Sequence, residues 1–230
     1  MENITVPDIG VAVLTGGLSS RMGTDKAVLP VAAGAGAPAF FEKICRSMSS
    51  FSGRYLSENT AQSYSFPGFS VLRDEYPGTG PMGGILTVLG HAVQDCVLFI
   101  ACDMPDYPEA EARRICGLYR GEAALIPVAD GKWQPLAALY SRKMIPLFRE
   151  AIRRGNYRLR DAVMQADFRL AAVPQELAGC YLNINTPGDF GKYRNRAGFR
   201  YPDPGAVIPG SAGPQEFLHF ENIFSVASEC

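Results

Sequence analysis

Val97-Leu98-Phe99-Ile100-Ala101 is apolar at every position, with none of the polar–apolar alternation of a half-exposed strand. A strand of this kind offers no face to water, which is the signature of a central parallel strand between helical layers. Around it, short apolar runs alternate with amphipathic stretches, the rhythm of a mostly parallel α/β sheet. Ile9 to Leu14, Tyr55-Leu56, Ser70 to Leu72, Ala123 to Val128, Pro135 to Tyr140 and Leu170 to Val173 are the other expected strands. Phe41, Ile44, Cys45 and Met48 recur at helical spacing and predict a helix opening near Pro38. Ile85, Val88, Leu89, Ala92 and Val93 predict the buried face of a second helix, entered through Gly78 to Gly84. Further helices are expected over 109–119, from about Pro146 to a glycine C-cap at Gly155, and over 189–194.

The 230 residues suffice for one α/β domain or two small ones, and the 47% hydrophobic content is that of a globular chain. A net charge of −1 spreads no basic field, so nucleic acid is not an expected partner. The longest apolar run, Cys96 to Cys102, is seven residues and too short to cross a bilayer. Met1 to Thr5 has no basic n-region and no long apolar run follows, so no signal peptide is read. The expectation is a soluble, cytoplasmic protein with no membrane partner. Cysteines 45, 96, 102, 116, 180 and 230 form no C-x-x-C pair, and most fall in apolar or helical patterns, as buried free thiols do. Structural zinc is not expected. His91 and His219 are read as surface or packed histidines, His91 within a helix.

From Arg196 the character changes. Residues 196–230 hold four prolines and four glycines without sustained periodicity, and are read as a poorly ordered or packed extension of a domain spanning 1–195. Phe217, Leu218, Phe220, Ile223 and Phe224 could instead form one short apolar docking face.

The chemistry concentrates after the first strand, in Leu14-Thr15-Gly16-Gly17-Leu18-Ser19-Ser20-Arg21-Met22-Gly23-Thr24-Asp25-Lys26. Glycines let the backbone approach a ligand and present N–H donors to oxyanions, and Arg21 and Lys26 add cations suited to a triphosphate. Neither G-x-x-x-x-G-K-[ST] nor G-x-G-x-x-G is present, so spacing alone leaves open a tight surface loop. Asp103 follows the apolar strand, where open α/β sheets bind ligands, although an aspartate there could also cap the next helix. Asp74, shortly before Pro77-Gly78, could be a turn aspartate.

The glycine-rich run is similar, without a gap, to the L-A-G-G-x-S-x-R-M-G-x-D-K signature of the MobA-like nucleotidyltransferase family, the molybdenum cofactor guanylyltransferases in particular. Thr15 replaces the usual alanine, and Leu18 stands where a polar residue is common. The resemblance extends over roughly Val11 to Arg194 through Asp74 with Gly80-Pro81-Met82-Gly83-Gly84-Ile85, Cys102-Asp103-Met104-Pro105, and Asn183-Ile184-Asn185-Thr186-Pro187-x-Asp189. It implies a single Rossmann-like three-layer α/β/α domain of the nucleotide-diphospho-sugar transferase type. It implies transfer of GMP from GTP to the terminal phosphate of molybdopterin, releasing pyrophosphate, with Mg²⁺ as cofactor. Arg21, Lys26 and Asp103 would be catalytic, and Asp103 the metal ligand. Leu14, Thr15, Gly16, Gly17, Lys26, Asn59, Asp74, Gly80 and Asp103 would bind the nucleotide. Gln134, Arg158, Arg160, Asn183 and Asn185 are candidates for the molybdopterin side, the two arginines standing equally well at a solvated helix start. Transient contacts with other cofactor-biosynthesis proteins or recipient molybdoenzymes follow from such a role. Two alternatives remain at this point: a transferase of the same fold using another nucleotide, such as a molybdopterin cytidylyltransferase, or a non-catalytic nucleotide-binding adaptor.

Overall fold

The computed structural model describes residues 8–15, 26–32, 37–58 and 63–195. Gly16, Gly17, Arg21 and Asn59, and the whole 196–230 extension, lie outside the described residues.

Among the described residues, eight strands form one sheet: β1 (Ile9–Leu14), β2 (Arg54–Glu58), β3 (Ser70–Arg73), β4 (Cys96–Ala101), β5 (Ala124–Ala129), β6 (Lys132–Trp133), β7 (Ala137–Ser141) and β8 (Phe168–Ala172). Their order is β3-β2-β1-β4-β7-β5-β6, with β8 also on β5. β1 to β4 are parallel, β5 and β8 share their direction, and β6 and β7 run against them. Of the two neighbours of the central apolar strand, β1 is parallel and β7 antiparallel. The reason is local: β6 and β7 are one return strand of a hairpin from β5, interrupted at Gln134 to Leu136 around Pro135, and a hairpin return is antiparallel by geometry.

Successive β4 residues feed opposite sides of the sheet. Leu98 and Ile100 join one core with Val11, Val13, Phe41, Ile44, Ala112 and Ile115. Val97 and Phe99 join another with Ala12, Leu14, Ile85, Leu89, Phe148 and Val163. Thus α1 (Phe40–Ser47) and α3 (Glu109–Leu118) cover one face, and α2 (Pro81–His91), α4 (Ile145–Arg153) and α5 (Leu159–Val163) the other. This is the three-layer arrangement expected of a strand with two apolar faces. A third, smaller core joins Leu29, Phe40 and Ile184 to Tyr193 of α6 (Pro187–Asn195).

Two expectations shift. Pro38 does not open α1; the helix begins at Phe40, with the Glu42 carboxylate accepting the Ala39 N–H at 3.1 Å. Val93 is not on the buried face of α2. The helix ends at His91, Ala92 is extended, and Val93 turns out to 82% exposure. His91 is at that helix end, exposed and 2.7 Å from Glu75. Cys45, Cys96, Cys102 and Cys180 are buried free thiols, and Cys116 is partly buried. No helix among the described residues is long and apolar enough to cross a membrane.

Candidate active site at the carboxyl edge of the sheet

The parallel strands β1 and β4 stay in register to their ends, and their ladder continues one step further: Cys102 N–H donates to the Leu14 carbonyl at 3.0 Å. Met104 N–H then closes a turn onto the Ala101 carbonyl at 3.1 Å, with Cys102 and Asp103 at its centre. Cys102 and Met104 are buried in the core below. The sequence Cys-Asp-Met-Pro thus anchors two apolar side chains and leaves the aspartate between them at the edge of the sheet.

Leu14 is buried, and the Thr15 hydroxyl donates to the Ser57 carbonyl at 2.8 Å, tying the end of β1 to β2. Lys26 opens a 3-10 turn over Lys26–Val28, held down by the fully buried Ala27. Its Nζ lies 3.4 Å from Asp103 Oδ2 and 2.5 Å from Asn185 Oδ1. Thr15 and Lys26 are therefore both held near the carboxyl end of β4. The Asp103 side chain is only 17% exposed, and its Oδ1 is buried without a hydrogen-bond partner among the described residues. Burial pushes its carboxyl up from the ordinary range, against the opposing pull of the Lys26 ammonium. Asp103 does not cap α3, whose N-cap, Pro108, has no side-chain cap.

Asn185 reaches this point from the far end of the chain. Ile184 N–H donates to the Asp103 carbonyl at 2.9 Å. The rest of the motif is a helix start: Asp189 accepts the Thr186 N–H at 2.9 Å and donates its own N–H to Thr186 Oγ1 at 3.1 Å, with Pro187 as the first helical residue. Asn183 is exposed, one residue before the Ile184 that pairs with Asp103.

Asp74, directly after β3, is half-buried. Its Oδ1 accepts the Tyr76 N–H at 2.8 Å, so the turn role is real, and burial raises its carboxyl above the ordinary range. The glycine-rich entry to α2 has two physical causes. Gly80 stands at φ 64, ψ −151, a conformation that essentially only glycine adopts. A Cβ on Gly83 would lie 2.8 Å from Asp74 Oδ1 and 2.7 Å from the Tyr76 carbonyl oxygen, and one on Gly84 2.7 Å from Ser57 Oγ.

On the other side of β4, Ala101 N–H donates to the Leu136 carbonyl at 2.8 Å. Leu136 borders an open groove of about 670 Å³ shared with Pro81, Pro135 and residues 157–161. Arg158 and Arg160 therefore stand both at the start of α5 and in a groove. The Arg160 guanidinium lies 4.8 Å from the centroid of the Trp133 ring. Gln134 does not line the groove; its amide donates weakly to the Lys132 carbonyl at 3.4 Å.

Sequence reading missed the polar supports. Lys43 donates to Asp106 at 2.6 Å, and the Tyr193 hydroxyl meets the same carboxylate at 3.3 Å. Glu111, fully buried, accepts from Tyr181 at 2.5 Å and from Arg114 through two bonds of 2.7 Å. Glu111 among the buried residues of α3 was the available signal; Arg114 lies one turn away, but Tyr181 is 70 residues distant, and Lys43 and Asp106 are 63 apart.

A mostly parallel α/β sheet with Lys26 and the buried Asp103 meeting at its carboxyl edge is the arrangement of a nucleotide-handling enzyme of nucleotidyltransferase fold. The model of the MobA-like NTP transferase domain matches residues 11–170, and the chain belongs to that family. It is 31% identical over 208 residues to the molybdenum cofactor guanylyltransferase of Syntrophotalea carbinolica, covering 83% of this chain and 94% of that one. It is 29% identical over 197 residues to a Carboxydothermus hydrogenoformans protein named "Probable molybdenum cofactor guanylyltransferase", covering 84% and 95%. In fold it resembles molybdopterin-guanine dinucleotide biosynthesis protein A from Archaeoglobus fulgidus, at a TM-score of 0.61 and 23% identity, over 80% of this chain and 96% of that one.

Proposed function

We propose that this chain transfers GMP from GTP to the terminal phosphate of molybdopterin, giving molybdopterin guanine dinucleotide and pyrophosphate. The meeting of Lys26, Asp103 and Asn185 at the end of β4 carries this reading, together with the names of the relatives. A phosphate oxygen of the acceptor forms a bond to the α-phosphorus of GTP as the α–β bridging bond breaks. The nucleophile is already an anion, so no general base is required; positioning and charge neutralisation carry the rate.

Residues 1–195 would form the transferase domain. Gly16 and Gly17 would let the backbone meet the triphosphate beside Leu14 and Thr15. Arg21 and Lys26 would hold the leaving pyrophosphate. Asn59, Asp74 through its second oxygen, and the turn at Gly80 would face the nucleoside. Arg158 and Arg160 would address the acceptor's phosphate from the groove beyond Leu136, with Asn183 and Gln134 as further candidates for the acceptor side. Asp103 suits a divalent cation, because one of its oxygens is buried and unpartnered among the described residues. Mg²⁺ takes one or two carboxylates and leaves its other positions to phosphate and water, so Asp103 with substrate would suffice. When bound at Asp103, the ion would supply positive charge that offsets the repulsion between the reacting phosphates.

The test is pyrophosphate release with purified molybdopterin, Mg²⁺ and either GTP or CTP. GTP should be favoured by about tenfold or more, as expected where a base edge is read by hydrogen bonds. Preference for CTP would overturn the nucleotide assignment, and GTP binding without release would favour an adaptor.

A further inference from the structure

The segment bearing Asn185 is fastened to the stretch bearing Asp103 on both flanks and at its centre. Tyr181 bonds to Glu111 before it, Ile184 to the Asp103 backbone within it, and Tyr193 to Asp106 after it. The buried side chains of Ile184 and Tyr193 also share a core with Leu29, three residues beyond Lys26. Ile184 and Thr186 on either side are held by hydrogen bonds from their backbone N–H groups, yet the Asn185 side chain itself is exposed and makes one short contact, from its Oδ1 to the Lys26 ammonium at 2.5 Å. The Asp103 contact to the same ammonium is longer, at 3.4 Å. A lysine carries its charge on a flexible four-carbon stem, so one carboxylate at that distance leaves the head free to swing. A second acceptor on a rigid segment removes that freedom before any ligand arrives.

We propose that Asn185 is a positioning residue of the transfer reaction: its side-chain carbonyl holds the Lys26 ammonium beside Asp103, aimed at the incoming triphosphate. The inference rests on the guanylyltransferase reading and gives Asn185 a role through Lys26 rather than a direct contact with the acceptor.

Two variants test it. Asn185→Leu keeps the size and removes the acceptor, whereas Asn185→Asp keeps an acceptor oxygen. Steady-state pyrophosphate release is measured alongside the rate of reductive methylation at Lys26, followed by peptide mass spectrometry without nucleotide. Asn185→Leu should lower kcat/KM by about 10- to 100-fold, the scale of a misplaced reacting group, and speed Lys26 methylation. Asn185→Asp should return both towards wild type. Wild-type methylation in Asn185→Leu, whether or not activity falls, would overturn the inference. So would loss of activity in both variants alike. A wild-type protein that releases no pyrophosphate, but whose Lys26 reactivity follows residue 185, would sink the guanylyltransferase reading and leave the lysine placement standing.

Discussion

Asp74 follows β3 and Asp103 follows β4, strands that run in the same direction, and burial raises the carboxyl of both. Their surroundings then diverge. Asp74 commits Oδ1 to the Tyr76 amide, and Gly83 packs so closely beneath it that no Cβ fits. Asp103 has Lys26 on one oxygen and nothing on the other, which is buried among the described residues. A buried oxygen without a partner is costly, and folds retain such groups where a ligand completes them. One aspartate builds its loop; the other is built around.

The comparison predicts where each loss will be felt. Asp103→Asn should lower GTP-dependent pyrophosphate release by about 10²- to 10³-fold, the usual cost of one charge-stabilising group, with the unfolding midpoint kept. An equal loss of activity in Asp74→Ala would erase the distinction. Gly83→Ala should act on the other side of the contrast. Its methyl would meet the Tyr76 backbone at 2.7 Å, so overpacking should cost about 1–3 kcal/mol in urea unfolding. A wild-type midpoint there would mean that the Asp74 turn yields freely.

The fold was legible because the sheet is simple at its centre. The uniform apolarity of 97–101 announced a strand buried on both faces, and the first strand, Ile9 to Leu14, came out with its observed bounds. The antiparallel β7 was not legible, because its direction depends on a two-residue strand, Lys132–Trp133, too short to register as a pattern. At the site, Lys26, Asp103 and Asn185 were each named from motifs, and they meet. The Asn185–Lys26 bond was invisible because it joins residues 159 positions apart. Asp106 and Glu111 were missed for a related reason. The cation of Asp106 lies on another element, and Glu111, though paired with the nearby Arg114, finds its hydroxyl partner Tyr181 on another element too.

The smallest effect separates the two oxygens of Asp74 itself. Asn at this position retains a carbonyl acceptor for the Tyr76 N–H, so the turn and the Gly83 packing should persist and the unfolding midpoint should stay put. What disappears is the charge on Oδ2, which has no hydrogen bond among the described residues. If that oxygen reads the nucleoside, Asp74→Asn should raise the KM for GTP by about tenfold, close to 1.4 kcal/mol, with kcat nearly unchanged, because the interaction is equal in ground and transition states. If KM does not move, Asp74 belongs wholly to the turn, and nucleoside recognition rests on other groups. A fall in midpoint at unchanged KM would show the loop depending on the charge itself.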